Sequence, residues 1–205
     1  HLAFRASFGA PLSYFHSGDG TMTIIDRIDG DLLSPSALKV ALDFAKRGVC
    51  VLALHGVTNG RCDCGNRQCR SPGKHPIGKE FPSGHKSATT NRAKIRRVFS
   101  EYPNANLGIV PPPGHLVVDV DGEVGRESFE KLGLPETAYQ ITGRGRHYHF
   151  GLEGSWPDRP AKLAGIDFKT ENGYVVVAPS THLTAKKYRW SRRLRRITTV
   201  LAKDL

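Results

Sequence analysis

The sequence lacks any long hydrophobic run, and its longest apolar stretch, GYVVVA, has the length of a single β-strand. A membrane-spanning helix needs about 20 consecutive apolar residues, so we expect no membrane partner. The first 20 residues also lack the continuous apolar segment of a secretory signal peptide. Because they begin with His rather than Met, we expect residues 1–20 to be a flexible or artificially added segment outside the fold.

Acidic residues are in short supply. The chain has 19 Asp and Glu against 30 Lys and Arg, which gives a formal net charge of +11. A surplus of this size indicates a polyanionic partner, and nucleic acid is the commonest such partner. The alternative is an enzyme that is merely basic, or a basic tail.

Cysteine is scarce, with four residues in the chain. Cys50 lies in the apolar run GVCVLAL and is expected to be a small core residue. The other three fall close together in CDCGNRQCRSPGKHP, which indicates a metal site and not a disulfide framework. Three thiolates and one imidazole suit tetrahedral Zn²⁺. The predicted ligands of this structural zinc site are Cys62, Cys64, Cys69 and His75.

Two alternatives remain for this cysteine segment: His85 competes as the fourth ligand, and the thiols can also be reduced side chains without a metal. Bound zinc would hold together the long loop over residues 56–85, whose closure is otherwise entropically unfavourable. Thiols that stay reduced predict a cytoplasmic location. Basic residues of the loop could also touch a template, namely Arg61, Arg67, Arg70 and Lys74.

Periodicity and turn residues divide the rest of the chain into helices and strands. SPSALKVALDFAKRG and TTNRAKIRRVFSEYP predict capped helices, and VGRESFEKLGL predicts a shorter one. VCVLAL, NLGIV, HLVVDV, AYQIT, RHYHFGL, GIDFK, GYVVVAP and KKYRWS predict strands. The expected N-caps of the first two helices are Ser34 or Ser36, and Thr90 or Asn91.

The order of these elements predicts a mixed α/β (α+β) fold. An N-terminal αβ module is expected to pack on a mostly antiparallel sheet. We predict one domain over residues 21–191, with the zinc-stabilised loop inserted at 60–80. Residues 192–205 are expected to be a basic C-terminal segment that leads toward a further domain.

Two aspartates stand at the end of the predicted strand in HLVVDVDG. Residues two apart face the same side of a strand, so Asp119 and Asp121 project together. Two like charges on one face repel, and a divalent cation would neutralise and bridge them. Hard cations such as Mg²⁺ prefer oxygen ligands and leave room for substrate phosphates. The alternative is that one aspartate caps the helix near Glu123 and the other is solvated.

A third aspartate strengthens the metal interpretation. Asp167 lies between Ile166 and Phe168 in another predicted strand. If this strand neighbours the strand of Asp119, three carboxylates converge. Two metal ions about 3.5–4 Å apart could then clamp the attacking and leaving oxygens of a phosphoryl or nucleotidyl transfer.

The glycine turn in TGRGRHYHF lies between the acids in sequence and offers exposed backbone N–H groups. Arg144, Arg146 and His147 add positive charge, which makes the turn a candidate cradle for a triphosphate. The alternative is an ordinary hairpin. His147 and His149 face the same way on their strand. We expect one to point to the site, and the other to lie toward the rim or to replace an aromatic residue.

The segment KKYRWSRRLRR alternates basic and aromatic residues. Aromatic stacking together with basic contacts to the backbone is how proteins grip single-stranded nucleic acid. We predict phosphate contacts here, and the alternative is a solvated basic end. The residues predicted to bind nucleic acid are Lys186, Lys187, Arg189, Arg192 and Arg193.

Four segments, LVVDVDG, TGRGRHYHF, GIDFKTENGYVVVAPSTH and YRW, occur in an order that resembles the bifunctional primase–polymerase (prim-pol) domain of the archaeo-eukaryotic primase superfamily. The resemblance spans roughly residues 35–191 and includes GKHP. It implies a primase-like core and a DNA primase/polymerase that transfers nucleotides from dNTPs or NTPs with Mg²⁺ or Mn²⁺. The implied partners are a single-stranded DNA template, a primer, and a helicase domain or replication protein.

The resemblance also implies roles for individual residues. His147 would contact the phosphates of the incoming nucleotide. Lys169 stands where the family usually has Arg, and would meet the triphosphate or the primer end. Ser180 and His182 match the last motif and would line the nucleotide pocket. The implied ligands of the catalytic ions are Asp119, Asp121 and Asp167.

Two rival functions remain from the sequence. One is a nuclease or another nucleotidyl transferase that uses the same acids. A nuclease needs no triphosphate cradle, so TGRGRH argues against it. The other is a zinc-containing module that binds single-stranded DNA without catalysis, and its DNA binding would not depend on the acids.

Overall fold

The computed structural model describes residues 36–156, 162–191 and 196–205. Within these ranges the chain forms three α-helices and eleven β-strands. The helices are α1 (Ala37–Lys46), α2 (Arg92–Glu101) and α3 (Gly122–Lys131). The strands are β1 (Val51–Leu54), β2 (Val57–Thr58), β3 (Arg61–Cys62), β4 (Asn106–Ile109), β5 (His115–Asp121), β6 (Tyr139–Ile141), β7 (Gly145–Glu153), β8 (Ile166–Lys169), β9 (Val175–Val177), β10 (Arg189–Trp190) and β11 (Thr198–Leu201).

Side-chain caps fix the starts of the first two helices. The Ser36 hydroxyl accepts a hydrogen bond from the backbone N–H of Lys39 at 3.3 Å. The Asn91 side chain accepts one from the backbone N–H of Lys94 at 3.0 Å. Each cap satisfies an amide that has no partner inside the helix. Of the predicted caps, Ser36 and Asn91 are the ones used, and Ser34 lies outside the described residues, as does the predicted N-terminal segment 1–20.

A small antiparallel sheet has the strand order β1-β4-β9. Val51 on β1 pairs with Ile109 on β4, and Ile109 pairs on its other side with Val175 on β9. Helices α1 and α2 bury their apolar faces in the same core as these strands, with Phe44 and Val98 almost fully buried. This layer is the predicted N-terminal αβ module, to which β9 is added from the distant half of the chain.

A larger sheet has the order β10-β6-β7-β5-β8, and β11 pairs parallel with β7. Its other pairings are antiparallel. Helix α3 covers one face, where Phe129 stacks on Tyr148 with ring centroids 4.0 Å apart. Val118 and Phe150 are fully buried in the core of that face.

The opposite face of the larger sheet packs partly against the small sheet. Val117 and Ala138 belong to the same buried cluster as the three valines of β9, Val175–Val177. Where this packing ends, polar side chains of β5, β7 and β8 face an open cleft. The predicted mixed α+β fold is therefore confirmed, and its two layers place the polar cleft at the edge of their junction.

Two features of the described chain were not predicted. Strands β2 and β3 form a hairpin of two residues each inside the long loop, too short to give a periodic pattern. Strand β11, TTVL, follows the basic segment and adds a parallel strand to β7. Within the described residues, no helix is long and apolar enough to cross a membrane.

Candidate active site

Asp119 lies at the centre of a row of polar side chains that crosses three neighbouring strands. On one side it pairs directly with Asp167 of β8, and on the other side with His147 of β7. Directly opposed residues of antiparallel strands project to the same face. Strand β8 therefore neighbours β5, which is the condition on which the predicted convergence of the acids depended.

Asp121 occupies the last position of β5, two residues beyond Asp119 and on the same face. The next residue, Gly122, has a φ of 66° and turns the chain into α3. Asp121 is the N-cap residue of α3, but its side chain makes no capping hydrogen bond. Its carboxylate lies instead 3.8 Å from the guanidinium of Arg144. The alternative of a capping aspartate is therefore not observed.

Each of the three carboxylates faces a basic side chain. His147 Nε2 lies 3.3 Å from Asp119 Oδ1, and Lys169 Nζ contacts Asp167. Burial alone would raise the pKa of Asp119. The hydrogen bond from His147 and the charges of His147, Lys74 and Lys169 outweigh burial and hold that pKa below its usual range. Asp119 is therefore ionised at neutral pH, although it is partly buried.

His147 is buried, with its second ring nitrogen enclosed by protein. No hydrogen-bond partner of His147 Nδ1 occurs among the described residues. Its ring centroid lies 6.0 Å from that of Tyr188. Of the two candidate histidines of β7, His147 is thus the one that contacts an acid.

His149 instead belongs to a buried polar chain that the sequence did not reveal. Its Nδ1 lies 3.1 Å from His115 Nε2, and its Nε2 lies 3.2 Å from the side-chain amide of Gln140. Gln140 Oε1 accepts the backbone N–H of Ala178 at 2.7 Å. The centroid of the His149 ring lies 4.8 Å from that of Trp190, so this histidine occupies a position in the core.

The glycine turn is held by a threonine. The hydroxyl of Thr142 accepts hydrogen bonds from the backbone N–H groups of Arg144 at 3.3 Å and Gly145 at 3.0 Å. A Cβ atom on Gly143 would lie 2.1 Å from Cγ of His182. The His182 ring therefore lies directly against the turn, close to Arg144 and Asp121.

His182 is oriented by Thr184, whose backbone N–H donates to Nδ1 at 3.2 Å. The proton of the neutral ring is consequently on Nε2. Burial, with the nearby positive charges of Lys74, Arg144 and Lys186, lowers the pKa of His182 despite the opposing charge of Asp121. His182 is therefore a neutral N–H donor beside the turn at pH 7.

The structure does not bring Arg146 or Ser180 to the acids. Arg146 precedes His147 on β7 and so projects from the other face, where it donates to Tyr148 Oη at 3.1 Å and lies over the Tyr139 ring. The Ser180 hydroxyl is buried and accepts the backbone N–H of Leu107 at 2.9 Å. Its hydrogen bond ties the β9–β10 segment to β4.

A cleft of about 310 Å³ opens over Asp119, Asp167 and His147. Its wall also includes Lys74 and His85 from the aperiodic loop, and Tyr174 and Tyr188 from predicted strands. The sequence predicts other roles for three of them: His85 as an alternative zinc ligand, Lys74 as a template contact and Tyr188 as part of a basic strand.

Tyr188 is 4% exposed and cannot stack on the bases of a bound strand. Burial and the negative charges of Asp119 and Asp121 raise its pKa, against the opposing effect of Arg144. Its phenol is therefore a protonated donor in the cleft wall. Its sequence neighbours Lys187 and Arg189 are exposed, as is Lys186. The predicted contacts Arg192 and Arg193 lie outside the described residues.

The four predicted zinc ligands come together. The ligand atoms of Cys62, Cys64, Cys69 and His75 all lie within 4.8 Å of one another, and Cys62 Sγ is 3.4 Å from His75 Nε2. Three soft sulfurs and one imidazole at this spacing fit a single tetrahedral ion. Without an ion, burial raises the pKa of Cys62 to about 11, so metal binding would release a proton there.

The chain belongs to the Prim-Pol family, described as bifunctional DNA primase/polymerase, N-terminal. The profile of this family matches residues 41–200, which include all three acids, the glycine turn and the metal loop. A comparison with curated proteins found no match. The family supports nucleotidyl transfer of the primase/polymerase type, with DNA and nucleotides as substrates. Enzymes of this family are metal-dependent.

Proposed function

We propose that this chain is the catalytic domain of a DNA primase–polymerase. It would extend, and also start, strands on a single-stranded DNA template with dNTPs or NTPs. The observation that carries the proposal is the row formed by Asp167, Asp119 and His147 on three adjacent strands. Asp119 and Asp167 line one open cleft together with His147 and Lys169. Asp121 lies two residues beyond Asp119, on the same face of β5.

The acids and bases of this row are suited to exchange partners when substrate binds. Each carboxylate contacts a base of the chain, namely His147, Lys169 or Arg144. We propose that Asp119, Asp121 and Asp167 hold two Mg²⁺ or Mn²⁺ ions. His147, Lys169 and Arg144 would then be available to contact phosphate oxygens. When bound, such ions activate the attacking hydroxyl and neutralise the leaving pyrophosphate.

Other residues of the site would orient the triphosphate. His182, with its proton on Nε2, and the backbone of the glycine turn would donate hydrogen bonds to phosphate oxygens. Lys169 would pass from Asp167 to the triphosphate or to the primer end. Positioning and electrostatic stabilisation supply most of the catalysis in such transfers. Arg146 and Ser180 have no direct part in this proposal, because their side chains are engaged elsewhere.

We propose that the Cys₃His cluster holds Zn²⁺ in a structural role. All four positions of a tetrahedral ion would be occupied by protein, which leaves none for a substrate. A cytoplasmic location would keep the three thiols reduced. The exposed Lys186, Lys187 and Arg189 would contact template phosphates, and a helicase domain or replication protein is the proposed partner.

The test compares labelled nucleotide incorporation on primed and unprimed single-stranded DNA with Mg²⁺ or Mn²⁺. The wild type is measured beside Asp119→Ala/Asp121→Ala, and DNA binding is measured for both. The proposal predicts incorporation by the wild type, its loss in the double variant, and DNA binding by both. Incorporation that survives the double variant contradicts the mechanism. DNA binding without wild-type incorporation favours the binding module, and template cleavage favours the nuclease.

A further inference from the structure

Lys74 reaches the cleft from the metal loop, next to the ligand His75. Its side chain is half-buried and lines the same cavity as Asp119 and Asp167. Its positive charge contributes to lowering the pKa of both Asp119 and His182. Lys74 therefore lies within electrostatic range of both the acid row and the glycine turn.

The ammonium group of Lys74 forms no ion pair with any carboxylate in the described part of the chain. The other cations around the acids differ in this respect, because Lys169 contacts Asp167 and Arg144 faces Asp121. A half-buried lysine that forms no ion pair among the described residues, in a cleft that also holds His147 and Lys169, is placed to contact an anionic ligand.

The backbone around Lys74 is fixed from several sides. Tyr174 Oη donates to the carbonyl of Lys74 at 2.8 Å, which joins the loop to the segment before β9. The side-chain amide of Asn106 donates to the carbonyl of Gly73 at 2.8 Å. The backbone N–H of His55 donates to the carbonyl of His75 at 3.0 Å. The backbone from which the Lys74 side chain projects is therefore held in place by three hydrogen bonds from other parts of the chain.

Other basic residues of the loop differ from Lys74. Arg61, Arg67 and Arg70 are exposed on its outer surface. A template strand would meet these exposed groups, whereas Lys74 faces inward over the acids. The triphosphate of a bound nucleotide would bring several negative charges to this position, and lysine is a common point-charge ligand of phosphate.

We infer that Lys74 is a phosphate-binding residue of the nucleotide site, delivered into it by the Cys₃His loop. This inference rests on the proposed function and names a further contact of the same site. It has a consequence: the metal cluster sets the affinity for the triphosphate through the position of Lys74, although no ligand of the cluster touches the substrate. A change that loosens the loop and a change that removes the lysine should therefore each weaken triphosphate binding, and both should do so through loss of the Lys74 contact.

The test measures dissociation constants by calorimetry with dATP and Mn²⁺, in the absence of DNA. Lys74→Ala is compared with Lys79→Ala, which removes the same charge from an exposed residue paired with Glu101. We expect Lys74→Ala to weaken binding about tenfold or more and Lys79→Ala to leave it within twofold. Deoxyadenosine binding, which involves no phosphate, should be the same in all three proteins.

The coupling to the loop is tested by Tyr174→Phe, which removes the hydrogen bond to the Lys74 carbonyl and leaves every metal ligand in place. We expect Tyr174→Phe to weaken dATP binding in the wild-type background and to add little in the Lys74→Ala background. Additive effects overturn the coupling. If Lys74→Ala binds dATP as tightly as the wild type, the lysine assignment is wrong and the proposed function stands. If the wild type neither binds dATP nor incorporates nucleotide on a primed template, the proposed function fails as well.

Discussion

Asp167 on β8 lies directly opposite Asp119 on β5, and both carboxylates face the cleft. Like charges at opposed positions of antiparallel strands destabilise a sheet. Each carboxylate has a local partner, with His147 Nε2 3.3 Å from Asp119 and the ammonium group of Lys169 in contact with Asp167. This arrangement suits a site in which divalent ions and phosphates replace the internal pairs.

Removing one thiolate of the metal cluster should release its ion. We expect about one equivalent of zinc in the wild type and almost none in Cys69→Ser, measured by elemental analysis after gel filtration. The melting temperature should fall by roughly 5 °C or more, because the ion closes the long loop. Cys50→Ser is the matched control, since Cys50 lies outside the cluster, and it should retain the zinc. A full equivalent in Cys69→Ser would exclude the assignment.

The contact between Gly143 and His182 gives a prediction about nucleotide affinity. A methyl group at Gly143 would collide with the imidazole and displace it from the turn. Gly143→Ala should raise the KM for dNTP about tenfold, because His182 can no longer donate to a phosphate. Gly78→Ala is the control, since its Cβ would have no neighbour within 4 Å.

A double variant shows whether the collision is the cause. In Gly143→Ala/His182→Ala the imidazole is absent and the methyl group has room. Its KM should match that of His182→Ala alone. If the fold increase in KM of the double variant instead equals the product of the two single-variant increases, the effect of Gly143→Ala does not act through His182.

The buried pair His115 and His149 predicts an acid-sensitive fold. Burial lowers the pKa of His115 from 6.5 to about 4 and also lowers that of His149. Between pH 6.5 and about pH 4, His115 therefore binds a proton in the unfolded chain but not in the folded chain. The free energy of unfolding should therefore fall as the pH decreases from 6.5 to about 4, by about 3 kcal/mol for His115.

Urea unfolding at pH 7.0, 6.0 and 5.0 measures this dependence. His115→Gln keeps a polar side chain but cannot titrate, so its stability should change less steeply with pH. Asp119 does not interfere, because its pKa is lowered and its contribution is lost only in more acidic solution. Parallel pH curves for the wild type and His115→Gln would contradict the prediction.

The exposed bases near β10 should contribute phosphate contacts. Lys186→Ala/Arg189→Ala should weaken the binding of single-stranded DNA and reduce the slope of log K against log salt by about 1.4, because each phosphate contact contributes about 0.7. Lys131→Ala/Lys203→Ala removes the same charge from other exposed positions and should leave the slope unchanged. Fluorescence anisotropy over a salt series measures the affinity for DNA and its salt dependence. Equal slopes in the two double variants would show that Lys186 and Arg189 make no phosphate contacts.

Local patterns in the sequence predicted much of the fold and part of the site. The alternation of a strand was enough to place Asp119 and Asp121 on one face, and the clustered cysteines were enough to predict a metal site. The same alternation places Arg146 and His147 on opposite faces of the sheet, because adjacent residues of a strand project to opposite sides. The charge of the turn groups the two residues, whereas the parity of the strand directs their side chains to opposite faces.

The rest depended on contacts between distant parts of the chain. The pairing of β5 with β8 joins residues almost 50 positions apart, and no local pattern specifies that register. The hydroxyl of Ser180 is consumed by a hydrogen bond to Leu107, which only the packed structure reveals. Lys74 lies in an aperiodic loop, so its inward direction follows from the contacts of Tyr174 and Asn106 and not from its neighbours in sequence.

The most direct test of the central claim is the rate of single-nucleotide incorporation by Asp167→Asn, measured at saturating Mn²⁺ on a primed template. This substitution removes one charge and keeps the shape of the side chain. If the three acids hold the catalytic ions together, the rate should fall by about 100-fold or more, while Asp204→Asn, an exposed control, stays within twofold of the wild type. A rate for Asp167→Asn equal to that of the wild type would show that the opposed pair of aspartates is not the reaction centre.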